Sequence, residues 1–152
     1  MSQDGTGVDL ETSLGYTLKE ASSALRVAMV EALRPLGMTV THYSCLELLA
    51  QRPGLSNSEL ARGVFVTRQS MNVLLQTLER DGHVTRPEEA PVGKVLPIRL
   101  TARGRQALAK ATAAVRQVEI RMLADLTEAE QSDAFRMLQT MARSLRDGNG
   151  GA

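Results

Sequence analysis

Between Thr67 and Gly82, four apolar residues, Met71, Leu74, Leu75 and Leu78, fall at i, i+3, i+4 and i+7. That spacing describes one helix with a single apolar stripe. Thr67 is suited to cap its start, and Gly82 can take the left-handed turn that ends it. The other side carries Arg68, Gln69, Ser70, Asn72 and Gln76, crowded into the first half. On most surface helices such a face is simply solvated. The same residue types at a helix start also suit base edges. Arg pairs with guanine, and Asn or Gln with adenine, in two-point contacts. The flanking segments decide between these readings.

Upstream, Ser56-Asn57-Ser58-Glu59 is a capping box, with Ser56 as the cap and Glu59 reaching back. It opens a short helix from Asn57 to about Arg62. Gly63-Val64-Phe65-Val66 follows as the turn. A short helix, a tight turn containing Gly, and a longer helix with a polar leading edge make a helix-turn-helix. Downstream, His83 to Arg86 reads as a strand, Pro87 to Lys94 as a turn-rich loop, and Val95 to Leu100 as a returning strand. Pro97 makes the latter an edge strand. A hairpin directly after a helix-turn-helix is a wing, here with Gly93-Lys94 at its tip.

Long helices flank this centre. From Leu14 to Leu36 apolar residues keep a helical period, with Pro35 and Gly37 marking the exit. A second helix, capped by Thr39 or Thr41, runs to Gln51 with Tyr43, Leu46, Leu49 and Ala50 on its apolar face. After the wing, Thr101 caps a helix to about Leu126, striped by Leu108, Ala111, Val115, Val118, Met122 and Leu126. Thr127-Glu128-Ala129-Glu130 is a second capping box. It opens a last helix through Ala134, Leu138, Met141 and Leu145. The expected fold is mainly α: a winged helix-turn-helix at 38–101 with a small two-stranded β-wing, between long dimerisation helices at 12–37 and 102–146. Residues 1–11 and 147–152 read as disordered. The two end segments carry more apolar face than one winged domain can cover, so a homodimer with an isologous interface is expected.

Composition narrows the function. Of 152 residues 43% are hydrophobic but only 3% aromatic, so the core must be built from Leu, Ala, Val and Met. The seven Met read as core filler. The single Cys45 excludes an intramolecular disulfide and suits a reducing compartment. With no signal-like start and no membrane-length apolar run, the expected location is the cytoplasm, with no membrane partner. Residues 41–105 hold nine basic and six acidic side chains, a local +3 within a net charge of +1. That is a mild bias toward a polyanion. No Gly-rich phosphate loop, no nucleophile with its base and orienting group, and no cluster at metal spacing occurs. No enzyme activity, cofactor or metal is therefore expected, and His42 and His83 stand without the partners a metal needs.

With this element order, the stretches Ser58-Glu59-Leu60-Ala61, Thr67-Arg68-Gln69-Ser70, Leu78-Glu79-Arg80-Asp81-Gly82-His83-Val84 and Leu100-Thr101-Ala102-Arg103-Gly104 resemble the MarR family of dimeric winged-helix transcription regulators. The resemblance runs from about Leu14 to Leu145. It implies a repressor that binds double-stranded DNA as a homodimer on a near-palindromic operator. It places Thr67, Arg68, Gln69, Ser70, Asn72 and Gln76 in the major groove, and Arg86 and Lys94 of the wing near the minor groove. The wing tip departs from the family's Asp-X-Arg pattern, with Val92 in the Asp place and Lys94 in the Arg place. Lys is a point charge rather than a planar fork, which favours a phosphate or shape-driven contact. The resemblance further implies a small-molecule effector, often an aromatic acid, in a pocket to which Tyr16, Arg26, His42 and Tyr43 are assigned. Cys45 reads as a buried, inert thiol. The alternatives are a redox-responsive regulator acting through Cys45, against which stands its distance from the start of the first helix, and a helical interaction module without DNA binding, against which stands the intact polar edge at Arg68, Gln69 and Asn72.

Overall fold

The computed structural model describes residues 7–86 and 98–148. The chain divides into two compact units, Met1–Val118 and Glu119–Ala152.

In the first unit, a local turn lies in the segment 7–12 ahead of the first helix. Asp9 holds a turn, its carboxylate accepting from the Glu11 N–H at 3.0 Å and its carbonyl from the Thr12 N–H at 3.2 Å. This is the local competition that Asp side chains offer the backbone. Helix α1 spans Leu14–Leu33, capped by Ser13. It stops short of Leu36 because Pro35 lacks an N–H for the α ladder; Arg34–Leu36 tighten into a 3₁₀ turn instead. Gly37, at φ 66°, closes that turn. Helix α2 spans Val40–Gln51, and its cap is Thr39 rather than Thr41: the Thr39 hydroxyl accepts from the His42 N–H at 3.1 Å.

Helix α3, Asn57–Gly63, has both halves of the expected capping box between Ser56 and Glu59. Its far end differs from expectation. The Val66 N–H reaches the Ala61 carbonyl and the Phe65 N–H reaches the Arg62 carbonyl, a Schellman closure. The left-handed residue of that closure is Phe65, at φ 61°, and not a glycine. For a residue with a Cβ this conformation costs about 1–2 kcal/mol. Gly63 lies inside the helix and answers a packing demand: a Cβ there would stand 2.3 Å from Leu48 Cδ2 of α2.

Helix α4, Arg68–Arg80, buries Met71, Leu74, Leu75 and Leu78, the whole apolar stripe. Gly82 takes φ 77° after it. Strands β1 (Val84–Thr85) and β2 (Arg99–Leu100) pair antiparallel, Val84 with Leu100 and Thr85 with Arg99. β1 is shorter than the expected His83–Arg86, Ile98 precedes β2 outside the strand, and the rest of the expected returning strand, with Pro97, and the wing loop, with Val92 and Lys94, lie outside the described residues. Helix α5 starts at Ala102 and runs to Leu123, three residues short of the expected end. Its stripe is buried at Leu108, Ala111 and Val118. The core gathers Leu33, Leu46, Leu60, Met71, Leu75 and Leu78 at 0–1% exposure. Each such side chain contributes about 1.5–3 kcal/mol of burial.

In the second unit, Gln131 explains the early end of α5: its amide donates to the carbonyls of Leu123 and Leu126, at 3.4 and 3.1 Å. Helix α6, Glu128–Asp147, begins with the expected Thr127–Glu130 capping box. None of its residues is buried within the chain.

Candidate nucleic-acid interface

The start of α4 is fixed before its outward face is considered. Thr67 accepts from the Ser70 N–H at 3.0 Å and shares a second bond with the Ser70 hydroxyl. Both hydroxyls serve the cap. Arg68, Gln69, Asn72 and Gln76 follow at spacings that put them on one exposed face. Among the described residues, Arg68, Gln69 and Gln76 make no side-chain hydrogen bond or ion pair, so their polar groups are available to a partner.

Asn72 is different. Its Oδ1 accepts from Nδ2 of Asn57 on α3, so one amide pair joins the two helices of the motif. The Asn72 amide nitrogen remains as a donor, whereas a two-point contact with adenine needs both ends of the amide. Asn57 Oδ1 is buried with no partner among the described residues. Spacing alone did not reveal this pair, because the partners are fifteen positions apart and neither lies on an apolar stripe.

Arg86, assigned to the wing, forms an ion pair through Nε with Glu79 of α4. The pair ties the outgoing end of β1 to the helix. Lys94 lies outside the described residues. Phe65 was read only as part of a turn. The residue is 86% exposed, just ahead of α4. The signal available in the sequence was a left-handed turn position with no glycine to fill it.

The four residues assigned to a ligand pocket are not brought together. His42 lines a cavity of about 400 Å³ with Met38, Asp81, His83, Arg103 and Lys110. Arg26 lines an adjoining groove with Val30, Arg34 and Thr39, which shares Gly37 and Met38 with that cavity. Tyr16 is exposed on α1 and lines neither, nor does Tyr43, which hydrogen-bonds Glu47. Burial holds His42 below its ordinary pKa; Asp81 opposes this and His83 adds to it. The shift favours the neutral ring, which can both donate and accept. Arg103 and Lys110 were missed because nothing in their spacing relates α5 to the turn before α2.

Cys45 is 0% exposed, and burial pushes its thiol up to about 12. That is the opposite of the accessible, low-pKa thiol a redox-responsive regulator requires. Among the described residues no cluster of three His, Cys, Asp or Glu could hold a metal, and no helix is long and apolar enough to cross a membrane.

Residues 36–94 match the model of the MarR family. The HTH-type transcriptional repressor Rv2887 of Mycobacterium tuberculosis is 44% identical over 135 residues, which is 89% of this chain and 97% of that protein. The fold is similar to the crystal structure of Rv2887 in complex with DNA, with a TM-score of 0.72 at 44% identity, covering 86% of this chain and 98% of that one. It is also similar to Rv2887 in complex with salicylic acid, with a TM-score of 0.70 at 45% identity, covering 86% and 96%.

Proposed function

The chain belongs to the MarR family, and from that premise we propose that it is a transcriptional repressor that binds a specific double-stranded DNA operator as a homodimer and is released by a small aromatic acid. The observation that carries this reading is the start of α4. Among the described residues, Arg68 and Gln69 stand exposed and without side-chain partners on a helix locked from behind by four buried side chains. Base readout needs adaptable polar tips on a rigid support. The likeness to a named repressor, and to a structure containing DNA, supports the same reading.

Two further features support the dimer and the effector. Helix α1 leaves Leu14, Leu18 and Val27 exposed, and α6 leaves Phe135, Met137 and Leu145 exposed. A second copy covers such surfaces in a two-fold assembly. The cavity beside His42 offers two cations, Arg103 and Lys110, for a carboxylate, and the apolar Met38 and Leu78 for a ring. The likeness to a salicylic acid complex favours an acid of that class.

The test is selection from a random duplex pool followed by footprinting. A near-palindromic consensus with half-sites about 10 base pairs apart, centre to centre, is expected. Failure to enrich any sequence, or protection of one half-site alone, contradicts the reading. Salicylate added to the complex should release the DNA.

A further inference from the structure

Phe65 carries two unfavourable features. Its backbone sits at φ 61°, a place that glycine fills without strain. The residue is 86% exposed, more than any other large hydrophobic residue among those described. The neighbours behave differently: Val64 and Val66 pack against the core. The turn thus needs apolar side chains on either side of Phe65 but gains nothing from the ring itself. A strained, exposed aromatic that the fold does not use points to an intermolecular role.

The surroundings select the partner. Phe65 lies three positions before Arg68, the first residue of α4, and three after Arg62; both guanidiniums are exposed. An exposed apolar side chain flanked in sequence by two exposed cations, just ahead of the polar face of α4, matches a polyanion that also presents apolar surface. Duplex DNA does so through its sugars and the thymine methyl group, and a Phe side chain is a known fit to the latter. We propose that Phe65 is a DNA-contacting residue, its ring packing on a sugar or thymine methyl at the edge of the surface read by Arg68 and Gln69. This rests on the repressor reading. The left-handed turn holds the ring outward, so its strain is retained for what it presents and not for what it packs.

The proposal predicts an unusual combination for Phe65→Gly. Removing the ring removes the contact, while glycine accepts the same backbone without strain. The variant should melt no lower than the wild type and remain a dimer. It should bind duplexes selected by the wild type about tenfold more weakly, the loss expected for one well-packed apolar contact. Phe65→Leu, which keeps apolar bulk, should retain part of the affinity. Arg68→Ala, measured alongside, reports on the interface independently. If Arg68→Ala loses binding while Phe65→Gly binds as the wild type does, the ring is not a contact and the repressor reading stands. If Phe65→Gly becomes monomeric, the ring belongs to a protein interface and the proposal is overturned. If the wild type selects no duplex, both the repressor reading and this proposal fail.

Discussion

The Thr101 hydroxyl donates to the Gly82 carbonyl at 2.6 Å and accepts from the Gly104 N–H at 2.9 Å. One side chain therefore caps α5 and holds the left-handed exit of α4. The Thr101 N–H adds a bond to the His83 carbonyl at 3.0 Å, at the base of the wing. The contact is close enough to exclude a side chain at Gly104, where a Cβ would stand 2.1 Å from the His83 oxygen.

Thr101→Val should lose both the cap and the tie, lowering stability by about 0.5–2 kcal/mol. Gly104→Ala should cost about 1–3 kcal/mol through overpacking against backbone that cannot yield. Urea unfolding of both variants checks this, with the larger loss expected at Gly104. A Gly104→Ala protein as stable as the wild type would disprove the close approach.

The acid side of the stability profile should depend on Glu47. Burial alone would raise its carboxyl, but hydrogen bonds from Gln51, Thr112 and Tyr43 outweigh that and hold it below the ordinary value of 4.5. A carboxyl depressed in the folded state adds stability above its unfolded pKa and loses it as pH falls through the folded value. Stability should thus decline below about pH 4.5, and Glu47→Gln should make that decline shallower. Some slope should remain, because bonds from Ser56 and Thr127 also hold Glu59 and Glu130 low. Melting curves between neutral and acid pH decide it.

The Asn57–Asn72 pair should appear as coupling. Asn72→Ala removes the only partner that Asn57 has among the described residues. In a double-mutant cycle with Asn57→Ala, the unfolding free energies should deviate from additivity by about 0.5–3 kcal/mol. Additive values would mean that Asn72 does not join the helices.

The central motif was legible because its rules are local. The Met71-Leu74-Leu75-Leu78 period, the Ser56–Glu59 and Thr127–Glu130 boxes, and the Thr67 cap each depend on residues within a turn or two of one another. The same locality explains what was missed. That Asn72 is engaged by Asn57, that Arg86 is held by Glu79, and that Arg103 and Lys110 line one cavity with His42 are consequences of packing between distant segments. The turn was misread for a different reason. Gly63 looked like the residue that supplies the sharp bend, but it lies inside α3 close against Leu48, and the left-handed position falls to Phe65.

Arg103 tests the effector cavity. Arg103→Ala removes a cation from the wall beside His42 and should weaken salicylate-driven release of DNA about tenfold. DNA binding without salicylate should be unchanged. Titration of the protein–DNA complex with salicylate measures both, and an unaltered titration would remove Arg103 from the site.

The exposed face of α4 is tested most directly by binding isotherms at several salt concentrations. Wild type, Arg68→Ala and Lys94→Ala are compared on the selected operator, on an operator with single base changes, and on random DNA. Arg68 is exposed and makes no side-chain hydrogen bond or ion pair among the described residues, so its loss should leave the fold and dimer intact. It should cost about 1–3 kcal/mol on the operator and relax discrimination at one base pair. Lys94→Ala should weaken all three DNAs alike and flatten the salt slope by about one unit. If Lys94→Ala alters base preference while Arg68→Ala does not, the start of α4 is not the element that reads sequence.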